Sequence, residues 1–166
     1  MADHHASLVY ESGEFFIADS GEGSGVWVRI TSQDGLDLES EAQIWLGGQI
    51  LLAAPQGNTW SLLHYGPDGQ SRGTIRVSER GIFVGRGTEY ELDPGDSLLS
   101  RKHAQFRVAG GRLVICDREY RNGTFVKVSG ASPVVDGSEF RISTRRYRLE
   151  VDSTSAHHPG VFRPLK

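Results

Sequence analysis

Hydrophobic and polar residues alternate along most of this chain with the period of two that is typical of β-strands. No stretch of ten or more residues shows the 3.6-residue period of an amphipathic helix. Many short strands at close spacing are typical of a sandwich or a barrel, so the pattern predicts an all-β fold. The predicted strands are Ser7–Tyr10, Phe15–Ala18, Val26–Ile30, Ile44–Leu46, Gln49–Ala53, Trp60–Tyr65, Gly73–Val77, Ile82–Gly85, His103–Val108, Arg112–Cys116, Thr124–Val128, Glu139–Ile142 and Tyr147–Val151.

Segments rich in Gly, Pro and Asp separate the predicted strands and predict turns. They include YGPDGQ at 65–70, LDPGD at 92–96 and VDG at 135–137. The segment PQGN at 55–58 breaks the alternation most clearly, so we predict a boundary after residue 57. The tail 153–166 contains two prolines and no alternation, and it is predicted to be irregular.

One frame of residues occurs twice. The stretch DSGEGSGVWVRI at 19–30 and the stretch DREYRNGTFVKV at 117–128 both begin with Asp and end in an alternating strand, ninety-eight positions apart. Extended in both directions, with two extra residues in the first copy, residues 4–54 correspond to residues 102–151. The repeat therefore predicts a partial β unit at 1–57 and a complete domain at 58–152.

Composition and the lone cysteine limit the class of protein. The 21 glycines and six prolines favour strands joined by turns. Cys116 alone rules out an internal disulfide framework, so nothing requires an oxidising compartment. The apolar run at 50–55 is too short to span a bilayer, and MADHHASL lacks the basic and apolar parts of a signal peptide. We therefore expect a cytoplasmic protein without a membrane partner.

The net charge of −3 conceals an asymmetry. Residues 1–57 carry one basic and nine acidic residues, whereas residues 58–166 carry seventeen basic and twelve acidic ones. The second part therefore suits an anionic partner. A solvated surface with uneven charge would give the same numbers, and the basic run RRYR at 145–148 is predicted to be a solvated strand edge rather than a nucleic-acid patch.

Four short motifs follow one another between Val84 and Thr124: VGR at 84–86, SRKH at 100–103, Asp117 at the end of a strand, and RNGT at 121–124. In this order and spacing the chain resembles the forkhead-associated (FHA) domain over residues 58–152. The resemblance implies an FHA-type β-sandwich of the SMAD/FHA-like class, with a recognition surface of loops at one end. The implied function is the binding of phosphothreonine peptides in Ser/Thr kinase signalling.

The resemblance assigns contact residues that suit the chemistry of a phosphate. A phosphothreonine carries about −1.5 to −2 charge and three acceptor oxygens, so its receptor needs a fixed cation and hydroxyl or amide donors. By resemblance, Arg86 and the hydroxyl and main-chain N–H of Ser100 bind the phosphate or the peptide beside it. Arg101 or Lys102 adds a second positive charge. Asn122 binds the main chain of the peptide.

A second group of residues is expected to support the site rather than contact the ligand. By resemblance, His103 is a hydrogen-bonding residue that braces the binding loops. Gly85, Gly123 and Thr124 are assigned to the same supporting role, and Arg121 to a structural or peripheral one. The sequence shows no nucleophile with a base, no carboxylate pair and no metal cluster, so we predict no enzyme activity, no metal and no cofactor. The alternative is an FHA-type assembly scaffold that acts independently of phosphate.

The first copy differs at the turn, where Ser24, Gly25 and Val26 stand in place of Asn122, Gly123 and Thr124. It resembles a degenerate C-terminal half of a second FHA-like module, and its acidic charge would repel phosphate. About fifty residues in five strands cannot close a sandwich. We therefore expect another surface to cover the apolar face of Leu8, Phe16, Val28, Ile44 and Leu51, and we predict a homodimer formed through this half-module.

Overall fold

A computed structural model describes residues 5–21, 23–31, 35–118, 121–152, 154 and 160–166. These residues contain strands and turns but no helix, which confirms the predicted all-β class. The strands are β1 (Ala6–Glu11), β2 (Glu14–Asp19), β3 (Val26–Arg29), β4 (Leu36–Leu38), β5 (Ala42–Leu46), β6 (Gln49–Gln56), β7 (Thr59–Tyr65), β8 (Ser71–Val77), β9 (Ile82–Gly85), β10 (Tyr90–Glu91), β11 (Ala104–Ala109), β12 (Arg112–Asp117), β13 (Thr124–Lys127), β14 (Ala131–Val134), β15 (Glu139–Ile142), β16 (Arg145–Val151) and β17 (Gly160–Leu165). Within the described ranges, no helix has the length and hydrophobicity needed to cross a membrane.

The C-terminal tail departs from the sequence prediction. Residues 153–166 were expected to be irregular, yet β17 pairs antiparallel with β16 from Val151 opposite Gly160 to Arg146 opposite Leu165. The strand is at the edge of its sheet, where a proline such as Pro164 is tolerated because its missing N–H faces away from the ladder. Its Phe162 ring lies 4.7 Å from the Phe140 ring, so an apolar contact adds to the strand pairing.

The chain divides into two compact units, and the division does not follow the boundary predicted after residue 57. The central unit is Ile30–Val126, and the terminal unit combines Met1–Arg29 with Lys127–Lys166. Residues 30–57 therefore belong with residues 58–126, and residues 127–152 belong with the start of the chain.

The central unit is a β-sandwich. One sheet has the order β10-β9-β11-β12-β4, and in the other β13, β5, β6, β7 and β8 are neighbours in that order. Buried residues of both sheets form one hydrophobic core, in which Leu62 and Ile75 pack with Phe106 and Ile115. Burial of these side chains contributes about 1.5–3 kcal/mol each.

The terminal unit has its own strands and core. One group of strands has the order β1-β2-β14, and the other has the order β17-β16-β15-β3. Ile17, Val26, Phe140 and Leu149 are buried together between them. Two extended chain segments, one from each end of the sequence, thus share a single core.

The strands reproduce the predicted repeat, but the copies exchange partners. β1, β2 and β3 have the same bounds as β11, β12 and β13 when shifted by ninety-eight positions. In the terminal unit β2 pairs with β14 and β3 with β15. In the central unit β12 pairs with β4 and β13 with β5. Each unit therefore combines three strands of one copy with three strands of the other.

This exchange covers the apolar face of the first copy within the chain. Leu8 and Val28 pack in the core of the terminal unit, and Ile44 and Leu51 are fully buried in that of the central unit. The placement of Phe16 in this face was wrong, because the neighbouring Ile17 is the fully buried residue of β2. The uncovered face that led to the homodimer prediction is thus absent from the described residues.

Candidate functional site

The loops that follow β9, precede β11 and precede β13 meet around one cleft of the central unit. The cleft has a volume of about 390 Å³. Of the four contact residues predicted from the sequence, Arg86, Ser100 and Asn122 line it, and Arg101 does not. The remaining lining residues are Ser97, Leu98, Leu99 and Arg121.

Arg86 and Gly85 place the end of β9 against the loop that carries Ser100. The main-chain N–H of Arg86 donates to the carbonyl of Ser100 at 3.0 Å, and its side-chain Nε donates to the carbonyl of Leu99. A Cβ atom on Gly85 would lie 2.2 Å from the carbonyl oxygen of Arg101. Only glycine permits this approach, so Gly85 allows the end of β9 to lie against the backbone of the loop that carries Ser100.

His103 joins two of the loops from a fully buried position. Its Nδ1 accepts a hydrogen bond from the main-chain N–H of Ser100 at 3.2 Å. Its Nε2 lies 2.8 Å from the carbonyl oxygen of Gly123, which only accepts, so the ring carries its proton on Nε2. One neutral imidazole thus connects the loop of Ser100 with the loop of Asn122, as a bracing residue must.

Two hydrogen bonds and the backbone conformation of one glycine define the Asn-Gly-Thr turn. Asn122 is half-buried and donates from Nδ2 to the carbonyl of Leu98 at 3.0 Å. Gly123 has a φ of 75°, which a residue with a side chain adopts only with strain. The buried Thr124 hydroxyl donates to Oδ1 of Asp117 at 3.1 Å. This last bond joins two of the four sequence motifs.

The second cation of the cleft is not the one that the sequence indicated. Arg101 is exposed and outside the lining, and the ammonium of Lys102 lies 5.0 Å from the centre of the Phe83 ring. Arg121, which had been assigned a peripheral role, is exposed and lines the cleft. Its place directly before Asn122 was the available signal, because the residue before a binding turn lies near the same ligand.

The basic run at 145–148 belongs to the terminal unit, and two of its arginines form ion pairs with one carboxylate. Glu139 accepts from Arg29 at 2.8 Å, from Arg146 at 3.0 Å and from Arg148 at 2.9 Å. Burial would raise the pKa of Glu139, but the hydrogen bonds and charges of these arginines lower it to about 2. Arg146 and Arg148 of this run therefore take part in an ion-pair network on the sheet.

The turn of the first copy lacks the amide of Asn122. Ser24 stands in its place, beside Gly25. Residues 2–4, which match Ser100, Arg101 and Lys102 in the repeat, lie outside the described residues. The predicted loss of phosphate chemistry from this copy stays a prediction.

Comparison with known proteins gives a family for the part of the chain that carries the cleft. The FHA domain family matches residues 82–151, a segment that runs through both compact units. The glycogen accumulation regulator GarA of Mycolicibacterium smegmatis is 26% identical over 95 residues, which are 57% of this chain and 59% of that protein. The chain thus matches about three fifths of the relative's length, and no solved structure matches it. FHA domains are interaction modules of phosphopeptide-mediated signalling rather than enzymes, and residues 82–151 of this chain match that family.

Proposed function

We propose that the central unit binds phosphothreonine peptides and that the protein is a non-enzymatic reader of Ser/Thr kinase signalling. The observation that carries the proposal is the cleft that brings Arg86, Ser100 and Asn122 together. A guanidinium, a hydroxyl and an amide on loops joined by hydrogen bonds are the groups that a phosphorylated, extended peptide requires. The FHA match and the relationship to GarA support a regulatory interaction with a phosphorylated protein.

Each residue has a role that follows from its position. Arg86 donates from Nε to the carbonyl of Leu99, and this bond fixes the planar guanidinium in the lining of the cleft. Ser100 supplies its hydroxyl to the phosphate, and Arg121 supplies further positive charge. Asn122 exchanges its bond to Leu98 for one to the peptide main chain, since an exposed amide bond is readily replaced.

Calorimetric titration with a degenerate phosphothreonine peptide library tests the proposal. We expect a dissociation constant in the micromolar range, about −7 to −9 kcal/mol, that weakens as salt is added. Arg86→Ala and Ser100→Ala should each cost about 1.5–3 kcal/mol of binding free energy. Lys102→Ala is the matched control, because it removes a nearby cation that contacts Phe83 and should leave binding almost unchanged.

The unphosphorylated library separates the proposal from its alternative. Equal binding of both libraries by the wild-type protein would contradict phosphate recognition and favour the assembly scaffold. Loss of affinity with Lys102→Ala equal to that with Arg86→Ala would show that only general positive charge is being measured.

The proposal requires one chain, since every residue assigned to the cleft lies in one compact unit. The homodimer predicted from the sequence stays a prediction, and light scattering at several concentrations tests it. The cytoplasmic location also stays a prediction, supported by a lone cysteine that needs no oxidising compartment.

A further inference from the structure

A buried carboxylate lies directly before the loop that lines the cleft. Asp96 is 9% exposed. Its Oδ2 accepts from the main-chain N–H of Gly48 at 2.6 Å and from Nε2 of Gln49 at 2.9 Å. Its Oδ1 accepts from the main-chain N–H of Leu98 at 3.0 Å. Three donors therefore compensate the burial of this carboxylate, and two of them belong to the β5–β6 hairpin: Gly48 lies in its turn and Gln49 is the first residue of β6.

The network continues from Asp96 to His64. Gln49 is fully buried, and because its amide nitrogen faces Asp96, its Oε1 faces Nε2 of His64 at 2.8 Å. Nε2 of His64 therefore donates to Gln49. Burial first, and then the nearby Arg72, lower the pKa of His64, so the ring is neutral near pH 7. His64 thus donates to Gln49, and Gln49 donates to the carboxylate of Asp96.

The β5–β6 turn is pressed against the cleft loop by close packing. A Cβ atom on Gly47 would lie 2.7 Å from Oδ2 of Asp96 and 2.8 Å from Cγ of Leu99. A Cβ atom on Gly48 would lie 3.2 Å from the same carboxylate oxygen. The two glycines therefore let the turn approach a loop that is 47 or more positions away in the sequence.

The loop held in this way carries the groups that orient the contact residues. The carbonyl of Leu98 accepts from Asn122, and the carbonyl of Leu99 accepts from Arg86. Ser100 follows directly. A displacement of Asp96 therefore moves the acceptors that fix the amide and the guanidinium of the cleft.

We propose that Asp96 and Gln49 are positioning residues of the phosphopeptide site, and that the β5–β6 hairpin is a working part of that site. This inference rests on the proposed function. The hairpin lies outside the FHA match at 82–151 and belongs to the first copy of the repeat. The acidic N-terminal part of the chain thus supplies residues that position the site. The contact residues themselves come from the rest of the chain.

The test compares three variants of the full chain in calorimetry with the phosphothreonine library. Gln49→Met keeps the volume of the side chain but removes both hydrogen bonds, and Asp96→Asn removes one acceptor. Val77→Ala is the control, because it shortens a fully buried side chain on β8, which does not carry the cleft. Urea unfolding at the temperature of the titration shows whether each variant is folded under those conditions.

We expect Gln49→Met and Asp96→Asn to weaken binding about tenfold in the folded state, and Val77→Ala to leave it unchanged. A purely structural role would lower the unfolding midpoint of all three variants without weakening the binding of any folded one. Wild-type affinity for folded Gln49→Met and Asp96→Asn would overturn the inference.

A second measurement keeps the inference separate from the proposed function. If the wild-type protein binds no phosphopeptide, the proposed function fails, and the amide resonances of Leu98, Ser100 and Asn122 decide the positioning role. Gln49→Met should shift these resonances, and Val77→Ala should not. Unchanged resonances in Gln49→Met would overturn the inference whatever the ligand proves to be.

Discussion

Replacement of His103 by alanine distinguishes support of the cleft from contact with the ligand. The imidazole is fully buried, and its removal leaves the N–H of Ser100 and the carbonyl of Gly123 without their partner. A buried polar group left unsatisfied costs about 1–3 kcal/mol. Ser100 is only half-buried and regains water more easily, so we expect a loss of about 3 kcal/mol in the free energy of unfolding.

Urea unfolding followed by tryptophan fluorescence measures this loss, since Trp45 and Trp60 lie in the central unit. Asn122→Ala is the matched control, because the bond from Nδ2 to Leu98 is exposed to solvent. We expect it to cost less than about 1 kcal/mol of unfolding free energy, while weakening binding of the phosphothreonine library as much as His103→Ala does.

One result would refute this reasoning. If His103→Ala left the free energy of unfolding within about 0.5 kcal/mol of the wild type and still abolished binding, the two hydrogen bonds of the imidazole would not support the loops. His103 would then belong among the groups that contact the phosphate.

Three further changes test other parts of the structure. Gly85→Ala should abolish binding and destabilise the central unit, because its Cβ would lie 2.2 Å from a main-chain oxygen, and unchanged affinity in calorimetry would contradict the close approach. Glu139 has a pKa of about 2, below its usual 4.5, so its ion pairs stabilise the fold fully above pH 4.5 and are lost as the pH falls toward 2. Because one arginine is half-exposed, we expect acid to cost the wild type about 1–2 kcal/mol more than Glu139→Gln in urea unfolding over that window, and equal losses would contradict the network. Phe162→Ala should lower the free energy of unfolding by about 2–3 kcal/mol in a chemical denaturation experiment, whereas an irregular tail would leave it unchanged.

The sequence predicted the class of fold because alternation persists wherever one face of a strand is buried. The three residues of β4 and the two residues of β10 were missed, since such short strands contain too few positions to show a period. β14 was also missed, because Pro133 interrupts its alternation of apolar and polar residues.

The sequence could not predict which strands pair, and the reason is physical. Both copies of the repeat have the same frame of apolar positions, so β14 and β4 present equivalent faces to β2 and β12. Alternation fixes which side of a strand is buried and leaves open which of two equivalent neighbours buries it. The exchange of strands between copies could therefore be found only in the structure.

The motifs led to Arg86, Ser100 and Asn122 because their chemistry is carried by single residues at fixed places. Asp96 appeared in the sequence only as part of a turn. Two of its three donors lie 47 and 48 positions earlier, on another hairpin, and no local pattern links residues so far apart.

Amide proton–nitrogen NMR of the full chain, titrated with the phosphothreonine library, tests the central claim most directly. We predict shifts that saturate at Ser100, Arg101 and Gly123, together with the side-chain amide of Asn122, and no such shifts with the unphosphorylated library. Shifts confined to the terminal unit, or the same shifts with both libraries, would contradict a phosphothreonine site in the cleft of the central unit.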